Sequence, residues 1–396
     1  MIPQGWQEKT LGEVCEIISG TTPDTSNNEF WGKGNYWITP AEINEDSLYI
    51  NGTARTITNR AVECCSLRKM PRGTVLFSSR APIGKIAISN VDVLYCNQGF
   101  KNFICSKNIN NKFLYYFLFK NKKYLISLGK GTTFKEVSKS IISVVNIQYP
   151  PLPEQERIVT KLDEAFEAID KVKANAEQNL NNAKELYKVV LNKVFNSNKY
   201  QFEHIKLDDL CEIITDGTHQ TPTYADKGVI FLSAKNVTSE VIDWENIKYI
   251  PDNLHNELKK RVSPQKGDIL LAKNGTTGVA AIVDRDCVFD IYVSLCMLRP
   301  KKTVNVQYLL LAINNPITKD KFNKSLIGIG VPNLHLNKIR ETTVPIPSPK
   351  FQDEISSLLN GLKAEYLKLE QIYIKKIKEC DELKQSILQK AFRGEL

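Results

Sequence analysis

A chain of 396 residues with 42% hydrophobic and 24% charged side chains has ordinary globular composition and exceeds the size at which one core usually keeps growing, so two or more domains are expected. Its 53 Lys and Arg against 44 acids leave a net charge of +9, which favours a polyanionic partner. The excess is uneven, because residues 1–150 hold 18 basic and 11 acidic side chains while residues 151–200 hold eight of each.

From the N-terminus, residues 1–150 read as short strands broken by Gly and polar turns: CEII (15–18), GTVLFSS (73–79) and GKIAIS (84–89). One helix-like stretch, NKFLYYFLFK (111–120), interrupts them. The Pro-rich YPPLP (149–153) then stops the strand pattern and restarts the chain as a helix. Residues 151–200 form that helix, whose 42 positions from Glu154 to Phe195 would span about 63 Å at 1.5 Å each.

Residues 201–346 repeat the first segment at an offset near 196. LGEVCEIISGTTP (11–23) matches LDDLCEIITDGTHQTP (207–222), YWITPAEI (36–43) lies over IFLSAKNV (230–237), and PRGTVLFSSRAPIGKIAI (71–88) lies over QKGDILLAKNGTTGVAAI (265–282). A second helix-like stretch, VQYLLLAIN (306–314), and a second Pro-rich stop, VPIPSP (344–349), complete the copy. Residues 347–396 are the second long helix. The order is A–B–A′–B′, with an α+β domain made twice and a pseudo-twofold internal repeat.

Steps of four and three from Ile158 give Leu162, Ala165, Ile169, Val172, Ala176, Asn179, Ala183, Leu186 and Val190. The same steps from Ile355 give Leu359, Leu362, Tyr366, Leu369, Tyr373, Lys376, Cys380, Leu383 and Ile387. A narrow stripe of period 3.5 kept over about five heptads predicts a coiled-coil seam. An antiparallel coil of the two helices, with one A domain near each end, is the simplest closure. Asn179 and Lys376 interrupt the seam at the same step, and a polar pair there is expected to fix register, so that exchanging both for Leu would raise stability and permit slippage.

The usual catalytic sets are missing. There is no D/N-P-P-aromatic tetrad, since Asn314-Asn315-Pro316-Ile317 lacks the second proline and the aromatic, and Gly328-Ile329-Gly330 is a bare G-x-G. Asp252 followed by Glu257-Leu258-Lys259 is too tightly spaced to place two carboxylates on adjacent strands around one cation, and DNLHNELKK reads as a solvated helix. Nine cysteines without C-x-x-C spacing, four scattered histidines and a start, MIPQGWQEKT, without a secretory pattern argue against zinc or disulfides and for a reducing cytoplasm. No apolar run nears the roughly 18 residues of a membrane span.

With L-x-x-[VL]-C-E-I-I, KGDILLAKNGTTG (266–278), PPLPEQERIV (150–159) and ELKQSILQKAFRGEL (382–396) in place, the chain resembles the DNA-specificity subunits of Type I restriction-modification enzymes over essentially its full length. The resemblance implies that each A segment is a target-recognition domain and each B segment a spacer helix. It implies that the chain binds a bipartite target in double-stranded DNA, and that it is itself non-catalytic. The implied partners are two copies of a DNA adenine methyltransferase subunit, which would hold S-adenosylmethionine, and a motor-endonuclease subunit; no cofactor is implied for this chain. The first B segment ends LYKVVLNKVFNS where the second ends ELKQSILQKAFRGEL.

Recognition loops of such domains should carry Arg, Lys, Asn and Gln for base edges and further cations for phosphates. In A the candidates are Arg80 and Lys85 in SSRAPIGK, Asn97 and Gln98 in YCNQG, and Thr132, Thr133 and Lys135 in GKGTTFK. In A′ they are Lys235 and Asn236, then Lys273, Asn274 and Thr276 in KNGTTG, and Asn333 and His335 in GVPNLHL.

Overall fold

The computed structural model describes residues 3–44, 47–131, 135–327 and 332–396. The chain sorts into two compact units, residues 1–177 with 374–396 and residues 178–373, so each contains one globular module and part of both long helices.

In the first unit a five-stranded sheet runs in the order Cys15–Ile18, Asn102–Cys105, Val75–Phe77, Ile86–Ser89, Tyr49–Ile50, and a four-stranded sheet in the order Arg55–Ile57, Trp31–Ile38, Val93–Cys96, Met70–Pro71. The second unit repeats this plan. Cys211–Asp216, Leu295–Pro300, Ile269–Ala272 and Ala280–Ile282 form its larger sheet, and Lys248–Ile250, Val229–Leu232 and Phe289–Ile291 its smaller one. In both smaller sheets an inner strand, Trp31–Ile38 or Val229–Leu232, pairs antiparallel with one neighbour and parallel with the other. A short antiparallel pair, Gln7–Thr10 with Asn146–Tyr149 and Glu203–Lys206 with Thr343–Ile346, ties the start of each module to its end.

The apolar runs at 75–77 and 269–272 are continuous rather than alternating because their sheets are covered on both faces. Val75 and Phe77 enter the core beneath helix Asn111–Lys120, while Leu76 joins the cluster shared with the smaller sheet. Ile269 and Leu271 divide from Leu270 and Ala272 in the same way. Period two in a strand then demands apolar residues at every position. Asn110 and Asn305 cap the matched helices: the Asn110 side chain accepts from the N–H groups of Lys112 and Phe113, and that of Asn305 from the N–H of Tyr308.

The long helices are Leu152–Phe195 and Pro349–Ala391. Each is fastened to its module by a buried glutamine. Gln155 Oε1 accepts from Asn110 N–H at 2.9 Å, and its Nε2 donates to the carbonyls of Asn108 and Pro150. Gln352 Oε1 accepts from Asn305 N–H at 3.1 Å while its Nε2 donates to Pro347 O. These contacts give the glutamines of PEQERI and KFQDEI their purpose.

Within each unit the helices pair antiparallel. In the first, Lys173 Nζ meets Asp381 at 2.7 Å and Lys384 pairs with Asp170. In the second, the Tyr187 and Tyr366 rings stack 5.7 Å apart and Lys199 meets Glu354 at 2.7 Å. The differing helix ends converge on one solution: Leu388, Ala391 and Phe392 enter the core of the first unit, and Leu191, Val194 and Phe195 that of the second.

The seam differs from the sequence expectation. Ile158, Leu162, Ile169, Ala176, Ile355, Leu359 and Cys380 are buried, and Val190, Tyr366, Tyr373, Leu362 and Ile387 half-buried, whereas Val172, Asn179, Leu186, Leu369, Lys376 and Leu383 are exposed. Phe166, Lys173, Leu180 and Tyr187 on the first helix, and Lys363, Glu370, Ile377 and Lys384 on the second, take the intervening turns. The reason is local. Ile158, Leu162 and Phe166, like Ile355, Leu359 and Lys363, are two consecutive steps of four, because each helix first lies on its module's core and only then enters the paired seam. The register role of Asn179 and Lys376 therefore falls away; the charged residues on the covered column are Glu370, which accepts from the Tyr366 hydroxyl, and the lysines at 173, 363 and 384, held by Asp381, Glu240 and Asp170.

Candidate nucleic-acid interface

At the end of the larger sheet in each module, three loops are joined by one set of backbone bonds. Ser79 N–H donates to Gly99 O at 2.8 Å and Lys273 N–H to Ser294 O at 2.8 Å. The carbonyls of the same two residues accept from Val137 N–H at 3.0 Å and Leu334 N–H at 2.9 Å. Each of those acceptors secures a loop closed by a bridge, Lys130 with Glu136 and Ile327 with Asn333. Ser79 thus corresponds to Lys273, Arg80 to Asn274, and Glu136 to Asn333.

On this common frame the side chains diverge. In the first module Lys101, nearly buried, donates to Glu136 at 2.9 Å and to Ser79 Oγ at 3.2 Å, and Arg80 approaches the other Glu136 oxygen at 3.5 Å. In the second, Lys273 is buried and donates to buried Asp216 at 2.7 Å, with Arg261 at 2.8 Å and His219 at 3.3 Å on the other oxygen. Burial works against the Asp216 charge, but the bonds from Lys273 and His219 outweigh it and hold the carboxyl below the usual aspartate range.

Of the residues singled out in the first module, Arg80, Asn97, Gln98 and Lys135 gather around this frame. Arg80 is half-exposed; the Asn97 side chain caps its own turn through Gly99 N–H at 3.0 Å; Gln98 is exposed and accepts from the Thr22 hydroxyl at 2.6 Å; Lys135 is exposed beside Glu136. Lys85 leaves the group, since its Nζ donates to Ile43 O at 2.9 Å. Thr132 and Thr133 lie outside the described residues.

In the second module two expectations need correction. Lys273 faces inward to Asp216, and Asn236 is buried, its Oδ1 accepting from Ser233 N–H and its Nδ2 donating to the carbonyls of Asp243 and Asn246. Both sit in polar turn sequence, which conceals burial. Lys235 is exposed and Asn274 half-exposed; both line one cleft of about 300 Å³ with Tyr224, Asn246, Lys248 and Tyr292. Thr276 is exposed and donates to Val237 O at 3.1 Å. Asn333 closes its loop, and exposed His335 precedes helix Leu336–Glu341.

Sequence reading missed Tyr224, Lys248, Tyr292, Trp31 and Arg55. They meet across strands, and no local motif marks them.

The described residues contain no cluster of three or more His, Cys, Asp or Glu able to hold a metal, and no described helix is long and apolar enough to cross a membrane. Asp252, Glu257 and Lys259 are exposed, with both carboxylates on the single helix Asp252–Leu258, so the nuclease-like string does not assemble; His255 of that helix instead anchors to buried Asp290 at 2.7 Å. Burial pushes the Asp290 carboxyl up, against the opposing bond from His255.

The twofold construction matches a known family profile. The Type I restriction modification DNA specificity domain matches residues 3–182 and again 200–379. The chain belongs to this family. It is 40% identical over 191 residues to the Type I restriction enzyme MjaIX specificity subunit of Methanocaldococcus jannaschii, a match spanning 47% of this chain and 44% of that protein. The MjaVIII specificity subunit of the same organism is 23% identical over 383 residues, covering 91% of this chain and 87% of the relative. The EcoKI specificity subunit of Escherichia coli is 23% identical across 100% of the chain and 90% of the relative. Among solved structures, a chain from work on assembly and conformational transition of the type I R-M system aligns over 100% of both chains with a TM-score of 0.80 at 21% identity. The HsdS subunit from Thermoanaerobacter tengcongensis aligns over 100% of this chain and 98% of its own with a TM-score of 0.62 at 20% identity. These last two likenesses speak to the fold, two α+β modules and two long helices.

Proposed function

We propose that this specificity subunit binds duplex DNA at a bipartite target, each globular module reading one half through the loops gathered at the end of its larger sheet. The observation that carries the reading is the contrast on the common frame: identical backbone bonding in both modules, with Ser79, Arg80 and Glu136 in one replaced by Lys273, Asn274 and Asn333 in the other. Fixed scaffolding with exchanged loop chemistry is what two different half-sites require, because base edges are distinguished by donor and acceptor pattern.

On this reading the chain itself catalyses nothing. It confers specificity on two copies of a DNA adenine methyltransferase subunit, which hold S-adenosylmethionine, and on a motor-endonuclease subunit, in the cytoplasm. The paired helices set the unread gap between the halves. Co-expression with a DNA adenine methyltransferase subunit of a Type I system, followed by methylome sequencing, tests it. The expected result is adenine methylation at two specified stretches separated by a constant unspecified gap; methylation at one continuous short motif would overturn it.

A further inference from the structure

The smaller sheet of each module carries a matched group that lies outside the loops discussed above. Arg55 stands opposite Trp37 in the strand register, and Lys248 stands opposite Phe231 at the corresponding step. Both inner aromatics are buried, each 2% exposed. A second aromatic, supplied by the chain just before the middle strand or at its start, packs edge-on against each. Trp31 lies 4.9 Å from Trp37 at 88°, and Tyr224 lies 6.2 Å from Phe231 at 68°. The cation then sits on the outer ring: the Arg55 guanidinium is 3.8 Å from the Trp31 centroid and the Lys248 ammonium 3.9 Å from that of Tyr224. Both cations are exposed, and among the described residues neither has an acidic partner within ion-pair distance.

We infer that Arg55 and Lys248 are a matched pair of DNA-phosphate contacts, one per module, each held in place by its aromatic seat. The inference rests on the DNA-binding reading above. The two modules differ at the three matched loop positions given above, so a feature kept in both belongs to what both half-sites share, the backbone. Arg presents a planar fork and Lys a point charge; the property they share is positive charge, which a phosphate accepts from either. An exposed cation resting on a ring face keeps its full charge while losing rotamer freedom beforehand, which lowers the entropy cost of meeting an anion. In the second module Lys248 also lines the cleft that holds Lys235, Asn246, Asn274 and Tyr292, so the contact would lie beside the candidate reading residues.

The test uses the full-length chain and a random-sequence 40-base-pair duplex, because a phosphate contact does not require the target. Binding is measured from about 0.05 to 0.3 M salt for the wild type, Arg55→Met, Lys248→Met and the double variant. Each single exchange should lower the slope of log K against log salt by about 0.9, and the double by twice that, which corresponds to about eightfold weaker binding per site at 0.1 M salt. Tyr224→Phe, which keeps the ring, should bind like the wild type. Tyr224→Leu should weaken binding in the wild-type background and have no effect once Lys248 is Met, a non-additivity that a merely structural tyrosine would not produce. If the wild type binds with a steep salt dependence and both Met variants keep its slope, the inference fails and the DNA-binding reading stands. If the wild type shows no salt-dependent binding, the reading itself fails and takes the inference with it.

Discussion

The two globular modules solve one structural problem with different chemistry. Each places a lysine almost out of water beneath the loops at the end of its larger sheet. The first draws that lysine from the position just before strand Asn102–Cys105, as Lys101, and neutralises it with Glu136, a residue of the loop itself that remains about a third exposed. The second draws it from the turn, as Lys273, and neutralises it with Asp216, which is buried in the sheet and shared with Arg261 and His219. In the first module the ion pair links loop to sheet; in the second it lies within the sheet's end, and the loop residue at the Glu136 position is the neutral Asn333. The repeat thus preserves the backbone bonding of this frame, while the placement of charge beneath the loops differs between the modules.

The largest expected effect breaks this comparison directly. Asp216→Asn strands a buried ammonium and should cost about 3–5 kcal/mol in denaturant unfolding, whereas Glu136→Gln, where the lost carboxylate is about a third exposed and Ser79 Oγ still accepts from Lys101, should cost less, about 1–2 kcal/mol. The sign with pH follows from the lowered Asp216 pKa. Its contribution is fully present above the ordinary aspartate range and is lost as pH falls through the folded value, so wild type and Asp216→Asn should converge in stability toward acid.

Next come the glutamine clamps, where the modules should behave alike. Gln155→Leu and Gln352→Leu each leave buried backbone groups unpaired and should each cost about 2 kcal/mol, read as a loss of thermal or denaturant midpoint. A large cost at one end alone would show that the helices are fastened by different means.

Smaller still is the effect at Asn179 and Lys376, the polar steps of the period-3.5 stripe. Asn179→Leu with Lys376→Leu should change stability by no more than about 0.5 kcal/mol, because both side chains are exposed. A stabilisation of several kcal/mol would restore them to the seam.

What the sequence showed and what it hid follow from range. The duplicated α+β plan, both long helices and their pairing were legible, since they rest on local periodicity and on a repeat visible by eye. The seam phase was misread because both candidate columns carry apolar residues: Val172 and Leu186 compete with Phe166, Leu180 and Tyr187, while lysines at 173, 363 and 384 argue against the column that is in fact covered. At the site, turn composition identified the loops but could not tell Asn274, which faces the cleft, from its neighbour Lys273, which turns inward to a strand 57 residues earlier. The aromatic-seated cations escaped for the same reason, as Arg55 and Trp31 meet only through strand pairing.

The most direct test of the central claim, that the two modules read separate halves of one target, is methylome sequencing of cells carrying the partner methyltransferase with the wild-type chain, Arg80→Ala or Asn274→Ala. Arg80→Ala should relax sequence preference in one half alone and Asn274→Ala in the other alone, with the gap unchanged. Relaxation of the same half by both variants would contradict it.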